Sequence, residues 1–285
     1  MDKPRGPTSH DAVDRVRQVF RTRAVGHAGT LDPFATGLLV ILLGKATRLA
    51  RFVEQQAKTY VATVKLGVVT STDDLTGEVV GGRADGRTGG PSQAAVEAIL
   101  TGFLGAQRQR PPAFSAKRVA GERSYARARR GEAVEPAEVE IVVHAMELVG
   151  YDYPDLQFRT TVSAGTYVRA LGRDLGERLG VGGHLTSLRR EAIGPLRVEL
   201  AVPLDRIGPE SLLPPLAVLG HLPRLAVTQA EARDLAFGRA VRPSAGQSAG
   251  PLDWIVAVAP GERLVAVGRL RDDAFQPEVV LEAAG

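Results

Sequence analysis

Cysteine is absent from the 285 residues, and so is asparagine. The first absence excludes disulfides and thiolate metal sites and suits a reducing compartment. The second leaves no N-glycosylation acceptor. Long apolar runs are missing too. The longest, residues 38–43 and 254–259, are far shorter than a bilayer span. The opening residues Met1-Asp2-Lys3-Pro4-Arg5-Gly6 lack the apolar core of a signal peptide. With no cysteine and five histidines, none in a ligand spacing, no metal site is expected. A cytoplasmic protein without membrane segments is the reading these absences favour. Acid is locally scarce as well: Asp32 is the only carboxylate between Asp14 and Glu54.

What is present suits a sizeable core. Hydrophobic residues make up 44% of the chain, and its length fits one large domain or one with a small appendage. The net charge is +4 and the pI about 9.6, weak evidence by itself for nucleic acid. Placement is more telling. Residues 105–134 hold eight lysines and arginines (108, 110, 117, 118, 123, 127, 129 and 130) against Glu122 and Glu132. Phe114 and Tyr125 interleave them, a pattern that can neutralise phosphates and stack on bases, or form a solvated charged loop. From residue 223 onward seven basic and eight acidic residues nearly cancel.

The periodicities predict a helix over 8–23, with Thr8 and Asp11 as a capping box, and a short helix to about Phe52. Alternation predicts a strand over 58–66, with Tyr60, Ala62, Val64 and Leu66 on one side. Asp73-Asp74-Leu75-Thr76-Gly77 reads as a solvated turn; it lacks the ligand spacing of a calcium loop. Ser92 caps a helix to about Phe103 with Ala95, Ile99 and Leu100 inward. Strands over 139–151 and 156–162, a helix from Gly165 to Leu179 and a strand over 184–192 follow. Residues 203–219 look like a connecting helical segment. The tail reads as a helix over 229–237 and strands near 254–258, 264–270 and 278–281. Gly44-Lys45 fails the phosphate-loop spacing, so no nucleotide-triphosphate site is expected.

The stretch Gly26-His27-Ala28-Gly29-Thr30-Leu31-Asp32-Pro33-Phe34-Ala35-Thr36-Gly37-Leu38-Leu39 stands apart. It places one carboxylate on a glycine-lined bend before a proline, beside an apolar run. An ordinary Asp-Pro turn has the same chemistry locally. The whole block, however, resembles the signature of the TruB family of pseudouridine synthases. Lys3-Pro4-Arg5-Gly6-Pro7-Thr8-Ser9, Lys58-Thr59-Tyr60, Gly165-Thr166-Tyr167-Val168-Arg169 and 183–190 are similar to further family blocks, in the family's order.

The resemblance implies an α+β fold: a mixed, largely antiparallel sheet flanked by helices, residues 1–222, with 105–134 as a basic RNA-clamping insertion. A small β-rich PUA-like RNA-binding module, 223–285, completes it. It implies isomerisation of uridine 55 in the tRNA T-arm, with base flipping, without guide RNA, cofactor or metal, and by a monomer. Asp32 would be the nucleophile and Arg169 its partner, lowering its pKa. Tyr60 would stack on the base and transfer a proton, Tyr167 and Leu188 would line the uracil pocket, and His27 would stack against the RNA. Read from the residues alone, Tyr60, Tyr167 and Leu188 are core positions, His27 is structural and Arg169 is a surface charge. Two departures from the family pattern stand out. Only Met1 and Asp2 precede Lys3, so either the start is misassigned or an edge strand is missing, and Ala28 replaces a frequent threonine. A non-catalytic RNA-binding module, a guide-dependent relative and a hydrolase are the rivals; the hydrolase lacks a supporting constellation.

Overall fold

The structure is a computed structural model that describes residues 1–82, 90–113, 136–242 and 253–281, with the backbone of 118–119 and 122–123. The expected basic stretch therefore lies largely outside the described residues, as do 83–89, 243–252 and 282–285.

The centre is an eight-stranded sheet. Its order is Asp2–Lys3, Thr36–Leu38, Gly183–Ile193, Lys58–Leu66, Asp155–Val162, Val139–Asp152 and Gly105–Gln109, with Leu196–Arg197 paired beside Gly183–Ile193. Every pairing is antiparallel except Thr36–Leu38 with Gly183–Ile193. This is the mixed, largely antiparallel sheet expected. Along Lys58–Leu66 the alternation buries Tyr60, Ala62, Val64 and Leu66 as read from the pattern. An edge strand at the start is present after all, though only two residues long: Asp2 pairs with Leu38 and Lys3 with Gly37.

Helices cover the sheet. Ser9–Phe20 begins with the expected box, Thr8 and Asp11 satisfying each other's backbone N–H groups. Gln93–Thr101 buries Val96 and Leu100, with Ile99 half-buried; Ala95, expected inward, is exposed, and Val96 one position on takes the inward place. Val168–Arg178 lies close on the sheet because of two glycines. A Cβ on Gly172 would stand 2.8 Å from Leu185, and one on Gly176 2.3 Å from the Gly182 backbone. That close approach fixes the depth of Arg169. Residues 203–219 form no continuous helix but three short 3-10 turns, Leu204–Arg206, Pro209–Ser211 and Pro215–Leu219. The prolines at 203, 209, 214 and 215 remove the donors a longer helix needs.

The C-terminal part is a four-stranded sheet, Arg224–Ala226, Ile255–Ala259, Arg263–Arg271 and Ala274–Val280. The helix Gln229–Ala236 shares an apolar cluster with it through Ala232, Leu235, Val265 and Phe275. A second cluster joins Val256, Val258, Val267 and Val279 to Leu38, Val40, Phe52 and Ile193 of the larger part. Trp254 meets Phe52 edge-on at 5.0 Å, and the guanidiniums of Arg51 and Arg269 lie 4.6 and 3.9 Å from its ring. The small sheet is thus packed into the body through a common core.

Candidate active site

Asp32 sits on the bend between the strands Val25–Ala28 and Thr36–Leu38. The bend is held from beneath by buried groups. The Ser9 hydroxyl accepts from Leu31 N–H at 2.9 Å and donates to Leu31 C=O at 3.1 Å. The Arg190 guanidinium, 1% exposed, donates to the carbonyls of Leu38, Gly29 and Thr30 at 2.7, 2.9 and 3.4 Å. The Lys3 ammonium, fully buried, donates to Pro4, Pro7 and Pro33 carbonyls at 2.9, 2.8 and 3.4 Å. Backbone carbonyls that two buried cations occupy cannot wander, so the carboxylate above them is preorganised.

The opposing group comes from the first turn of Val168–Arg178. Arg169 Nε lies 3.0 Å from Asp32 Oδ2, and Nη2 donates to Oδ1 at 3.4 Å. The same guanidinium is anchored on its other edge: Nη1 donates to Asp74 Oδ2 at 3.1 Å and to Thr72 C=O at 3.0 Å. Asp74 in turn accepts on Oδ1 from the Thr72 hydroxyl and from the Thr76 N–H and hydroxyl. Asp74 and Arg169 are buried, with side chains 5% and 7% exposed, whereas that of Asp32 is 35% exposed. The arrangement is a buried cation fixed from below, presenting one carboxylate to an approaching molecule.

The acid pair at 73–74 is therefore not a solvated turn. Leu185 N–H donates to Asp73 C=O at 3.0 Å, and Arg173 Nη1 lies 2.8 Å from the Asp73 carboxylate. Helix and sheet close over the turn together. The signal available in sequence was Thr72 and Thr76 flanking Asp74, two hydroxyls spaced to bind one carboxylate.

The electrostatics also correct an expectation. The pKa of Asp32 is raised, not lowered. Loss of water around the carboxyl dominates, Arg169 opposes it, and the charge of Asp74 adds to the rise. A guanidinium shared between two acids cannot fully offset desolvation of the more exposed one. The ionised carboxylate is held, but at a cost in free energy.

Tyr60 is 7% exposed and Leu188 6%, both in the apolar cluster that contains Leu31, Phe34 and Val168. They are diagonal neighbours across two strands, since Tyr60 faces Arg190 and Ala62 faces Leu188. Tyr167 is half-buried and stands at the N-cap position of the helix that carries Arg169, without a capping hydrogen bond from its side chain. The structure therefore brings Asp32 and Arg169 into contact and sets Tyr60, Tyr167 and Leu188 in or beside the elements around them. His27 is half-buried on the separate hairpin Val25–Ala28 with Val40–Leu43, and makes no hydrogen bond to the array. Its Nδ1 is buried without a partner, and burial lowers its pKa, so it is a neutral ring near pH 7. Among the described residues no group of three or more acids or histidines could hold a metal. A cavity of about 670 Å³ lies elsewhere, lined by Asp2, Asp11, Arg15, Arg189 and Asp205 among others, and includes neither Asp32 nor Arg169.

A family model described as the N-terminal domain of TruB family pseudouridylate synthases matches residues 17–168, more than half the chain and including Asp32. The chain belongs to the TruB family. The tRNA pseudouridine synthase B of Thermobifida fusca (strain YX) is 45% identical, aligned over 98% of this chain and 96% of that protein. That of Synechococcus sp. (strain WH7803) is 42% identical, over 100% and 97%. Among solved structures, a chain of a Cbf5-Nop10-Gar1 complex superposes with a TM-score of 0.77 at 26% identity, covering 99% of this chain and 84% of that one. A chain from an H/ACA RNP bound to a substrate RNA containing 2'-deoxyuridine gives 0.74 at 25%, covering 99% and 84%. TruB membership carries pseudouridylate synthase chemistry, and the small C-terminal sheet fits the PUA-like module expected beside it.

Proposed function

We propose that this TruB-family protein converts uridine 55 in the T-loop of tRNA to pseudouridine, with Asp32 as nucleophile. The observation that carries the reading is the pairing of Asp32 with Arg169 at 3.0 Å, on a bend whose carbonyls the buried Lys3 and Arg190 hold from beneath. The relatives named tRNA pseudouridine synthase B supply the substrate class.

The reaction is an isomerisation, so nothing is oxidised or added. The N1–C1′ bond of the nucleotide breaks, the uracil turns, and a C5–C1′ bond forms; the hydrogen leaves C5 and N1 gains a proton. Asp32 serves by attacking C1′ or C6, or by stabilising positive charge on the ribose. Its raised pKa makes the anion more basic than a solvated aspartate, while Arg169 keeps it ionised near neutral pH. Tyr60, on the strand Lys58–Leu66, stacks on the base and moves the proton; Tyr167 and Leu188 complete the uracil pocket. The target base has to leave the folded loop to reach Asp32, and His27 stacks where it was. In this reading 1–222 is the catalytic domain, 105–134 clamps the RNA, and 223–285 is a PUA-like RNA-binding domain. The enzyme acts as a cytoplasmic monomer without guide RNA, metal or cofactor.

A second reading is a guide-dependent enzyme, favoured by the likeness to Cbf5 complexes. One assay separates them: purified protein with an unmodified tRNA transcript and no guide RNA. Pseudouridine at position 55, lost when that uridine is changed to cytidine, supports the proposal. Product only after adding guide RNA supports the second reading, and none under either condition overturns both.

A further inference from the structure

Gln109 ends the edge strand Gly105–Gln109 and is buried, 2% exposed. Its side chain holds the backbone of Tyr167 on both sides, at the N–H and at the C=O. Nε2 donates to Tyr167 C=O at 3.0 Å, and Oε1 accepts from Tyr167 N–H at 2.9 Å. Tyr167 is the N-cap of Val168–Arg178, and no side chain at that position caps the helix. Its carbonyl already accepts from Leu171 N–H at 3.2 Å, in the first turn. The amide of Gln109 therefore stands where a cap or a neighbouring strand would, and it fixes the start of the helix.

The next residue acts on the following turn. Arg110 C=O accepts from Arg173 Nη2 at 2.9 Å, and Arg173 Nη1 binds Asp73. Residues 109–110 thus hold the helix two residues before Arg169 and four after it. The Asp73 end of that chain adjoins Asp74, the second anchor of the guanidinium. We propose that Gln109 is a positioning residue for the isomerisation: through the Tyr167 backbone it sets the first turn of the helix so that Arg169 lies against Asp32. The inference rests on Asp32 being the reacting carboxylate. A functional pair of this kind has to be held within roughly 0.5 Å. Arg169 reaches Asp32 across two contacts of 3.0 and 3.4 Å that leave little slack.

Gln109→Met keeps the length and removes both hydrogen bonds. Gln109→Glu keeps the acceptor for Tyr167 N–H and sets an oxygen against its carbonyl. In single-turnover assays each variant is expected to lose about 10- to 100-fold in rate. The Kd for tRNA should stay within about 2-fold, since the contacts lie inside the protein. A reading independent of activity is the titration of Asp32, followed by carbonyl ¹³C NMR. Asp32 is faced by Arg169, Asp74 and Lys3. Loosening Arg169 weakens the largest influence that lowers its pKa, ahead of Lys3, so the midpoint moves up. Should Gln109→Met fail to fold, Gln109→Asn, which keeps the amide but shortens its reach, is read the same way. A lower Tm with wild-type rate per folded molecule and an unmoved Asp32 midpoint overturns the proposal, as does a rate loss that only follows Kd. If the wild type itself makes no pseudouridine, the proposed function fails, and the NMR titration still decides the role of Gln109.

Discussion

Replacing Asp74 by Asn keeps the shape of the side chain and removes the charge beneath Arg169. The oxygen that accepts from Thr72 and Thr76 stays, and an amide N–H₂ then faces the Arg169 Nη1 that now lies 3.1 Å from Oδ2. Unit charges at that separation attract by about 5 kcal/mol at an effective dielectric of about 20. Breaking a buried pair by removing one partner costs roughly 3–5 kcal/mol. In a chain of this size that lowers Tm by on the order of 10 °C. Arg169 loses its lower anchor, and a displaced partner costs the single-turnover rate about 100-fold. The pH dependence follows the larger of two opposed effects. Removing the Asp74 charge lowers the pKa of Asp32, but a displaced Arg169 outweighs it and moves the acid limb of the rate to higher pH. Thermal unfolding and single-turnover rates from pH 5 to 8 read all three. A variant with wild-type Tm and rate would refute Asp74 as the anchor, and an acid limb moving downward would refute the displacement of Arg169.

Arg169→Lys leaves one ammonium where a planar fork now reaches both Asp32 and Asp74; a rate loss of at least about 100-fold with tRNA Kd little changed is expected in single-turnover and filter-binding assays. Lys58 donates to the carbonyls of Glu54 and Gln56, and burial pushes its pKa from 10.5 down to about 8. Because the fold binds that proton less well than the unfolded chain, this group adds stability as pH rises from 8 to 10.5 and loses it as pH falls back. Denaturant titrations should show the rise in wild type and its loss in Lys58→Met; identical slopes would contradict it. Gly37→Ala places a Cβ 2.3 Å from Arg190 C=O at a φ of +105°, so a loss of more than ~2 kcal/mol is expected in urea unfolding. A stable Gly37→Ala variant would show that the parallel pairing beside the bend is misplaced.

Much of the site could be read from the chain because its parts lie in compact blocks. Asp32 and Arg169 each stand in a run of glycine, aromatic and apolar residues distinctive enough to carry a family likeness. The burial of Tyr60 was legible in the strand alternation, while the role proposed for it rests on the block alone. The burial of Asp74 was not legible, although Thr72 and Thr76 beside it hint at a held carboxylate, because what buries it is remote: Leu185 and Arg169 are about a hundred residues away. The direction of the Asp32 pKa was misjudged for the same reason, since a pairwise reading with Arg169 omits both lost water and the competing acid. Gln109 gave no signal at all; a glutamine between two arginines reads as solvated until its partner strand and helix are in place. Residues 203–219 show a local failure, in which leucine content suggested a helix and proline content prevented one.

The most direct measurement is single-turnover pseudouridine formation by Asp32→Asn on unmodified tRNA, beside its Tm and tRNA affinity. No product is expected, tRNA is still bound, and Tm is unchanged or higher, because the raised pKa makes the ionised carboxylate a burden on the fold at neutral pH. Pseudouridine made at a rate near that of wild type would contradict the role assigned to this carboxylate.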